Sequence, residues 1–292
     1  MQRRRCLPII LLAALLLGCG GPTAAQPEGA VQTIQNKGSD TMVNLALAWA
    51  EAYMRLHPEV RISVTGGGSG TGIAALINGT VDIANASRKM KPEEVERARA
   101  RGIEPVEHVV ARDAIAVVVN PANPVDRLTI DQLSDIFTGK ITNWQEVGGD
   151  NRPIVLLSRE SNSGTYMYFL EHVVRKGEKG SDLLFSPDTL LMPSSEGISA
   201  EIRQNPNAIG YDGLGYVTPD QKVIAVARTA EGPYVAPSVE TVNDGTYPIA
   251  RPLYMYTCGQ PKGVIKDYLD WILSEEGQRI VAKMGFVPLV PK

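Results

Sequence analysis

The stretch Arg61-Ile62-Ser63-Val64-Thr65-Gly66-Gly67-Gly68-Ser69-Gly70-Thr71-Gly72 changes character at its midpoint. Ile62 and Val64 alternate with polar neighbours, the period of a half-buried strand. The next seven residues are glycine with one serine and one threonine. Ile73, Leu76 and Ile77 then fall on one helical face. Asn78-Gly79 closes the helix, and Val81 to Ala84 reads as the following strand. The same order precedes it. Val31 to Gln35 is a short strand, Gly38-Ser39-Asp40-Thr41 a turn, and Leu45, Trp49, Tyr53 and Leu56 a helical stripe that ends before Pro58. Strand, turn and helix in repetition define an α/β fold.

A second series begins near Asp113. Ala114 to Val119 is an unbroken apolar run, as in a strand buried on both faces. Thr129 to Phe137 is helical in pattern. Ile154 to Leu157 is a strand that feeds Ser158-Arg159-Glu160-Ser161-Asn162-Ser163-Gly164-Thr165, and Tyr166, Phe169, Leu170 and Val173 follow as a helical stripe. Ile209 to Val217 is extended and punctuated by glycine. Ile265, Leu269, Ile272, Leu273, Ile280 and Val281 mark C-terminal helices expected on the first lobe. A chain of 292 residues has room for two domains. The expectation is two α/β lobes, lobe I from 32–112 plus 225–292 and lobe II from 113–224.

The N-terminus has a different character. Arg3, Arg4 and Arg5 precede an apolar run from Leu7 to Leu17, too short for a membrane span and suited to an export signal over residues 1–18. Leu16-Leu17-Gly18-Cys19 resembles the lipobox of bacterial lipoproteins, in which the cysteine is lipidated and becomes the mature N-terminus. An ordinary cleaved signal with a chance cysteine is the alternative. Residues 19–31 read as a lipidated flexible tether. Residues 1–18 hold three arginines and no acid, so their removal takes the formal charge from −3 to −6. No basic run suggests nucleic acid. With Cys6 removed and Cys19 acylated, Cys258 stands alone and is expected to be buried as a small hydrophobe.

Three strand-to-helix turns share serine, threonine and glycine. A helix start presents unpaired N–H groups and a partial positive charge, which together favour an anion. Any one such turn is equally a helix cap. Three together, one beside Arg159, point to a buried oxyanion site. Enzymatic readings find less support. Gly66 to Gly72 lacks the lysine of a P-loop and the spacing of a dinucleotide fingerprint. Ser163 lacks the nucleophile-elbow pattern. His57, His108 and His172 have no partner pattern and read as structural, and no metal-ligand spacing is present.

Gly38 to Thr41, Gly66 to Gly72, Asp82-Ile83-Ala84-Asn85-Ala86-Ser87-Arg88, Phe137-Thr138-Gly139-Lys140-Ile141-Thr142-Asn143-Trp144, Arg159 to Thr165 and Gly210 to Val217 occur in this order. Together they resemble the phosphate-binding lipoproteins of bacterial ABC importers, over about residues 31–288. The resemblance implies a two-lobe periplasmic-binding-protein fold of the Venus-flytrap, type II kind, with two hinge crossovers and phosphate in the cleft. It implies donors from Ser39 and Thr41, from Ser69, Gly70 and Thr71, and from Ser163, Gly164 and Thr165, with Arg159 paired to the anion. Ser87 and Arg88 are further candidates, because some members carry an aspartate where this chain has Arg88. Asp40 is then expected to take over that aspartate's acceptor role. Some relatives also carry, at the position of Ser161, an aspartate that supports the arginine, and Glu160 is expected to replace it. The implied partners are inorganic phosphate, a membrane permease and the membrane itself through the lipid anchor. A monomer without cofactor or metal, outside the cytoplasm, is expected.

Phosphate near neutral pH keeps a proton and sulfate keeps none. An acceptor-only carboxylate therefore welcomes phosphate and repels sulfate, a difference of at least ~1–3 kcal/mol. A site for sulfate, molybdate or tungstate is the nearest alternative. A secreted phosphatase would need a nucleophile with a base, or a metal cluster. A lipid-anchored sensor or adhesin would share the same site.

Overall fold

The computed structural model describes residues 31–289; the stretches read from sequence as an export signal and a tether, with Cys19, lie outside the described residues up to residue 30. The first series is β1 (Gln32–Gly38), α1 (Asp40–Leu56), β2 (Val60–Thr65), α2 (Ser69–Ile77), β3 (Ile83–Ala86) and α3 (Pro92–Ala100). β4 (Pro105–Val119) leads into the second series. That series comprises β5 (Arg127–Thr129), α4 (Ile130–Phe137), β6 (Val155–Arg159), α5 (Gly164–Phe169), β7 (Leu190–Met192), α6 (Ser195–Gln204), β8 (Ala208–Gly213), β9 (Lys222–Val223), β10 (Ala225–Ala227) and α7 (Val239–Asn243). The chain returns through β11 (Ala250–Cys258) to α8 (Gly263–Leu273) and α9 (Glu275–Lys283).

One curled sheet runs through the molecule in the order β2-β1-β3-β11-β4-β8-β6-β7, with β9 beside β4. β1 pairs in parallel with β2 and β3, as short strand-to-helix connections require. β4 changes partner along its length. Residues 105–114 pair antiparallel with β11, and Ile115 onward pairs antiparallel with β8. The hand-over between Ala114 and Ile115 is the first crossover between lobes. The second lies beside it, where Ile249 accepts the Ile115 N–H and Ala250 faces Ala114.

Each lobe has its own core. α1 buries Met42, Leu45, Trp49 and Tyr53 along one stripe, against Tyr268, Leu269 and Ile272 of α8 and Val281 of α9. The Trp49 indole N–H donates to the Gly277 carbonyl. In lobe II, Phe169 stacks on Tyr211 and Phe137 meets both edge-on, in one core with Val117, Leu133 and Ile136. Ile224, Val226, Val242, Tyr247 and Ile249 join this second core, and β10 pairs with β5. Residues 225–249, assigned by sequence to lobe I, therefore pack on lobe II, and the chain returns at β11. Cys258 also departs from expectation. It ends β11 on the surface and is exposed.

Candidate functional site

The three turns meet where the lobes face each other. Gly38, at φ +149°, carries β1 into α1 at a point where a Cβ would lie 2.1 Å from the Asn85 carbonyl. That approach brings the start of α1 beside the end of β3. Ser39 stands at the N-cap position of α1, yet its hydroxyl caps nothing. It donates to Ser87 Oγ at 3.0 Å. Ser69 opens α2, lies 3.3 Å from the same Ser87 hydroxyl and accepts the Ser87 N–H at 3.0 Å. From the opposite lobe, Thr165 Oγ1 is 2.8 Å from Thr41 Oγ1. Ser39, Thr41, Ser69, Ser87 and Thr165 are all buried.

Gly164 explains how the two halves approach so closely. A Cβ there would meet Ser69 Oγ at 2.4 Å and Ser87 Oγ at 2.5 Å, distances that side chains do not tolerate. Ser163 behaves differently from the other hydroxyls. It is a true cap, accepting N–H bonds from Thr165 and Tyr166 at the start of α5. Gly70 donates its N–H to the Asn162 carbonyl, a backbone link between lobes. Thr71, half-buried beside Gly67, makes no side-chain hydrogen bond among the described residues.

Arg159 is buried at the end of β6 and is thoroughly occupied. It donates to the carbonyls of Met192 and Pro193, to Ser195 Oγ and to Asp40 Oδ2 at 2.8 Å. The carboxylate supporting it thus comes from the other lobe, while Glu160 is exposed. Asp40 Oδ1 accepts the Gly67 N–H at 2.7 Å. Each oxygen of Asp40 has one of these donors, so Asp40 ties the glycine turn to Arg159, a task that the sequence reading, which expected an acceptor for the ligand, did not include. Beneath Arg159, burial pushes the Asp212 carboxyl up to about 7, with Arg159 opposing. Arg88 is held by both oxygens of Glu94 at 2.7 Å, its Nε buried and unpaired. Burial alone would raise the Glu94 carboxyl, but bonds from Arg88 and the Lys91 N–H outweigh it and hold it low.

The sequence did not single out Arg251 and Asp113. They face each other across β11 and β4 at the crossover. Arg251 Nη2 donates to Asp113 Oδ2 and to Thr165 Oγ1, both at 2.9 Å, and its Nη1 donates to the Ser87 carbonyl at 3.0 Å. Asp113 is fully buried, and burial raises its carboxyl while Arg251 opposes the rise.

Two lobes with paired crossovers and polar turns converging between them define the class: a substrate-binding protein of the type II periplasmic-binding fold. Residues 23–276 match the PBP superfamily domain. The chain is 33% identical to the phosphate-binding protein PstS of Pseudomonas aeruginosa, covering 100% of this chain and 97% of that one. It is also 33% identical to PstS of Bacillus subtilis, over 99% and 95% of the two chains. Among solved structures it resembles a putative phosphate ABC transporter substrate-binding protein with bound phosphate from Clostridium perfringens. There the TM-score is 0.79 at 35% identity, covering 89% of this chain and 100% of that one. The chain belongs to the phosphate-binding protein family.

Proposed function

We propose that this protein captures inorganic phosphate outside the cytoplasmic membrane and delivers it to the permease of an ABC importer. One observation carries the reading: five buried hydroxyls on strand-to-helix turns, four from lobe I and Thr165 from lobe II, are linked as Ser39–Ser87–Ser69 and Thr41–Thr165, with Ser69 and Ser87 against Gly164. A hydroxyl can donate or accept, so such a cluster suits an anion that still carries a proton. Neutral donors bind it without the desolvation penalty of many buried charges. Contacts from both lobes let the ligand select the closed cleft. Ser39, Asp40, Thr41, Ser69, Gly70, Thr71, Arg159, Ser163, Gly164 and Thr165 form the proposed binding region, with Ser87 inside it and Arg88 at its edge.

The relatives are binding proteins, which supports capture over catalysis. Lipidation at Cys19 would hold the protein at the membrane, near a permease, as a monomer. Titration calorimetry on phosphate-stripped protein tests the central step. Phosphate should give saturable heat with one site, and sulfate should bind at least tenfold more weakly. No heat with phosphate, or equal affinity for the two anions, would sink the proposal.

A further inference from the structure

Resting on the phosphate reading, in which Arg159 meets the anion, we infer that Asp212 is a proton-linked positioning residue for that arginine: phosphate binding draws a proton onto its carboxyl, and capture strengthens as the medium acidifies. Asp212 lies on β8 and is buried. Its Oδ1 accepts the N–H of the adjoining Gly213, and its Oδ2 is buried without a hydrogen-bond partner among the described residues. A buried carboxylate with so few donors favours its neutral, protonated form. Ser195 connects it to the site. The Ser195 hydroxyl is buried and accepts from Arg159 Nη1 at 3.1 Å, which leaves its own proton to donate. The same hydroxyl favours the ionised form of Asp212, so it couples the carboxyl to the arginine.

The charges around Asp212 decide the direction of the effect. Arg159 faces it from β6 and Asp113 from β4, and Tyr216 lies on the turn after β8. Glu196, beside Ser195 on α6, is exposed. Arg159 is already paired with Asp40 of α1, and Asp113 with Arg251 of β11. Two arginines therefore balance two carboxylates while Asp212 keeps its proton. Once Asp212 ionises, three carboxylates face two arginines, and an anion enters a site of net negative charge. The bound anion in turn favours the neutral carboxyl, because a nearby like charge disfavours ionisation. Burial pushes the carboxyl up to about 7, where Arg159, Ser195 and the Gly213 N–H oppose the rise and Asp113 adds to it. The proton comes from solvent while the cleft is open.

Calorimetric titration of phosphate into the unaltered protein and Asp212→Asn, at pH 5.5, 7 and 8.5, provides the test. Asparagine keeps the shape and does not titrate. The ionisation of phosphate itself is common to both proteins and cancels in the ratio of their affinities. The affinity of the variant relative to the unaltered protein should rise about threefold or more from pH 5.5 to pH 8.5. In buffers of different ionisation enthalpy at pH 8, the unaltered protein should take up more protons per phosphate than the variant. A merely structural carboxylate would change affinity by one factor at every pH. A constant ratio, or equal proton counts, would overturn the inference. Melting without phosphate reports on Asp212 alone. The native state holds this proton, whereas an unfolded aspartate releases it near about 3.9, so the unaltered protein loses stability as pH rises through about 7. The lead of Asp212→Asn in melting temperature should therefore widen from pH 5.5 to pH 8.5, and a lead that does not widen would equally overturn the inference. Carbon-13 spectra of the unaltered protein need no variant. The buried aspartate that titrates near neutrality should titrate at higher pH with phosphate bound, and an unmoved midpoint would contradict the coupling. Absence of phosphate binding by the unaltered protein at every pH would instead remove the functional reading, and this inference with it.

Discussion

Asp40 stands between two hydroxyl residues in sequence and between two donors in space. One oxygen receives the Gly67 N–H and the other receives Arg159 from the opposite lobe. Asp40→Asn would keep an acceptor for Gly67 and remove the charge facing a buried arginine. A charge-assisted hydrogen bond is worth about 1.5–3 kcal/mol, so unfolding free energy should fall by about that amount in a denaturant titration. Phosphate affinity should fall as the glycine turn loosens, while the ratio of phosphate to sulfate affinity stays within threefold. A collapse of that ratio would return Asp40 to the acceptor role. Ser39, Thr41, Ser69 and Thr165, which the structure brings together, were marked in sequence because a hydroxyl beside glycine at a helix start is a local signal. Arg251 was not. It sits beside Pro252, a residue that argues against a strand interior, and its partner Asp113 lies far away in the chain.

Among the elements, α2 shows how a turn is aimed. Gly72 lies in its first turn, where a Cβ would be 2.5 Å from both the Gly38 Cα and the Lys37 carbonyl. These are backbone atoms, so the clash cannot be relieved by a rotamer change. Gly72→Ala should push α2 away from β1, destabilise by about 1–3 kcal/mol as overpacking does, and lift Ser69 out of reach of Ser87. Thermal melts would show the first effect and phosphate calorimetry the second. Unchanged stability would mean that α2 can slide without cost. The strand-to-helix units built on β1, β2 and β6 were read correctly because period and punctuation agree within a few residues. α3, α6 and β11 were not read. α3 is a charged surface helix that buries only Glu94 and Ala98, so it leaves no apolar stripe. β4 was delimited only from Ala114, with His108 set in a strand of no stated bounds, because its first half alternates less clearly than its fully buried end.

At the scale of the molecule, two crossovers side by side divide one curled sheet into two lobes. The sequence reading set its first boundary near Asp113, where residues become continuously apolar, and β4 exchanges β11 for β8 between Ala114 and Ile115. The second was placed too early, at 225, because the short strands and turns up to residue 249 have no period of their own. They pack on lobe II through Val226, Tyr247 and Ile249 instead. The closed cleft is then held by contacts from both sides: Thr41 with Thr165, Asp40 with Arg159, and Gly70 with Asn162. Each would be reinforced by a ligand that touches both lobes, which is how a binding protein couples capture to closure. A crystal structure of the protein grown with phosphate tests this most directly. The account predicts a single tetrahedral anion within hydrogen-bond distance of Ser39, Ser69, Ser87 and Thr165, with both lobes in contact. An anion bound elsewhere, or a cleft closed on these hydroxyls without phosphate at saturating concentration, would contradict it.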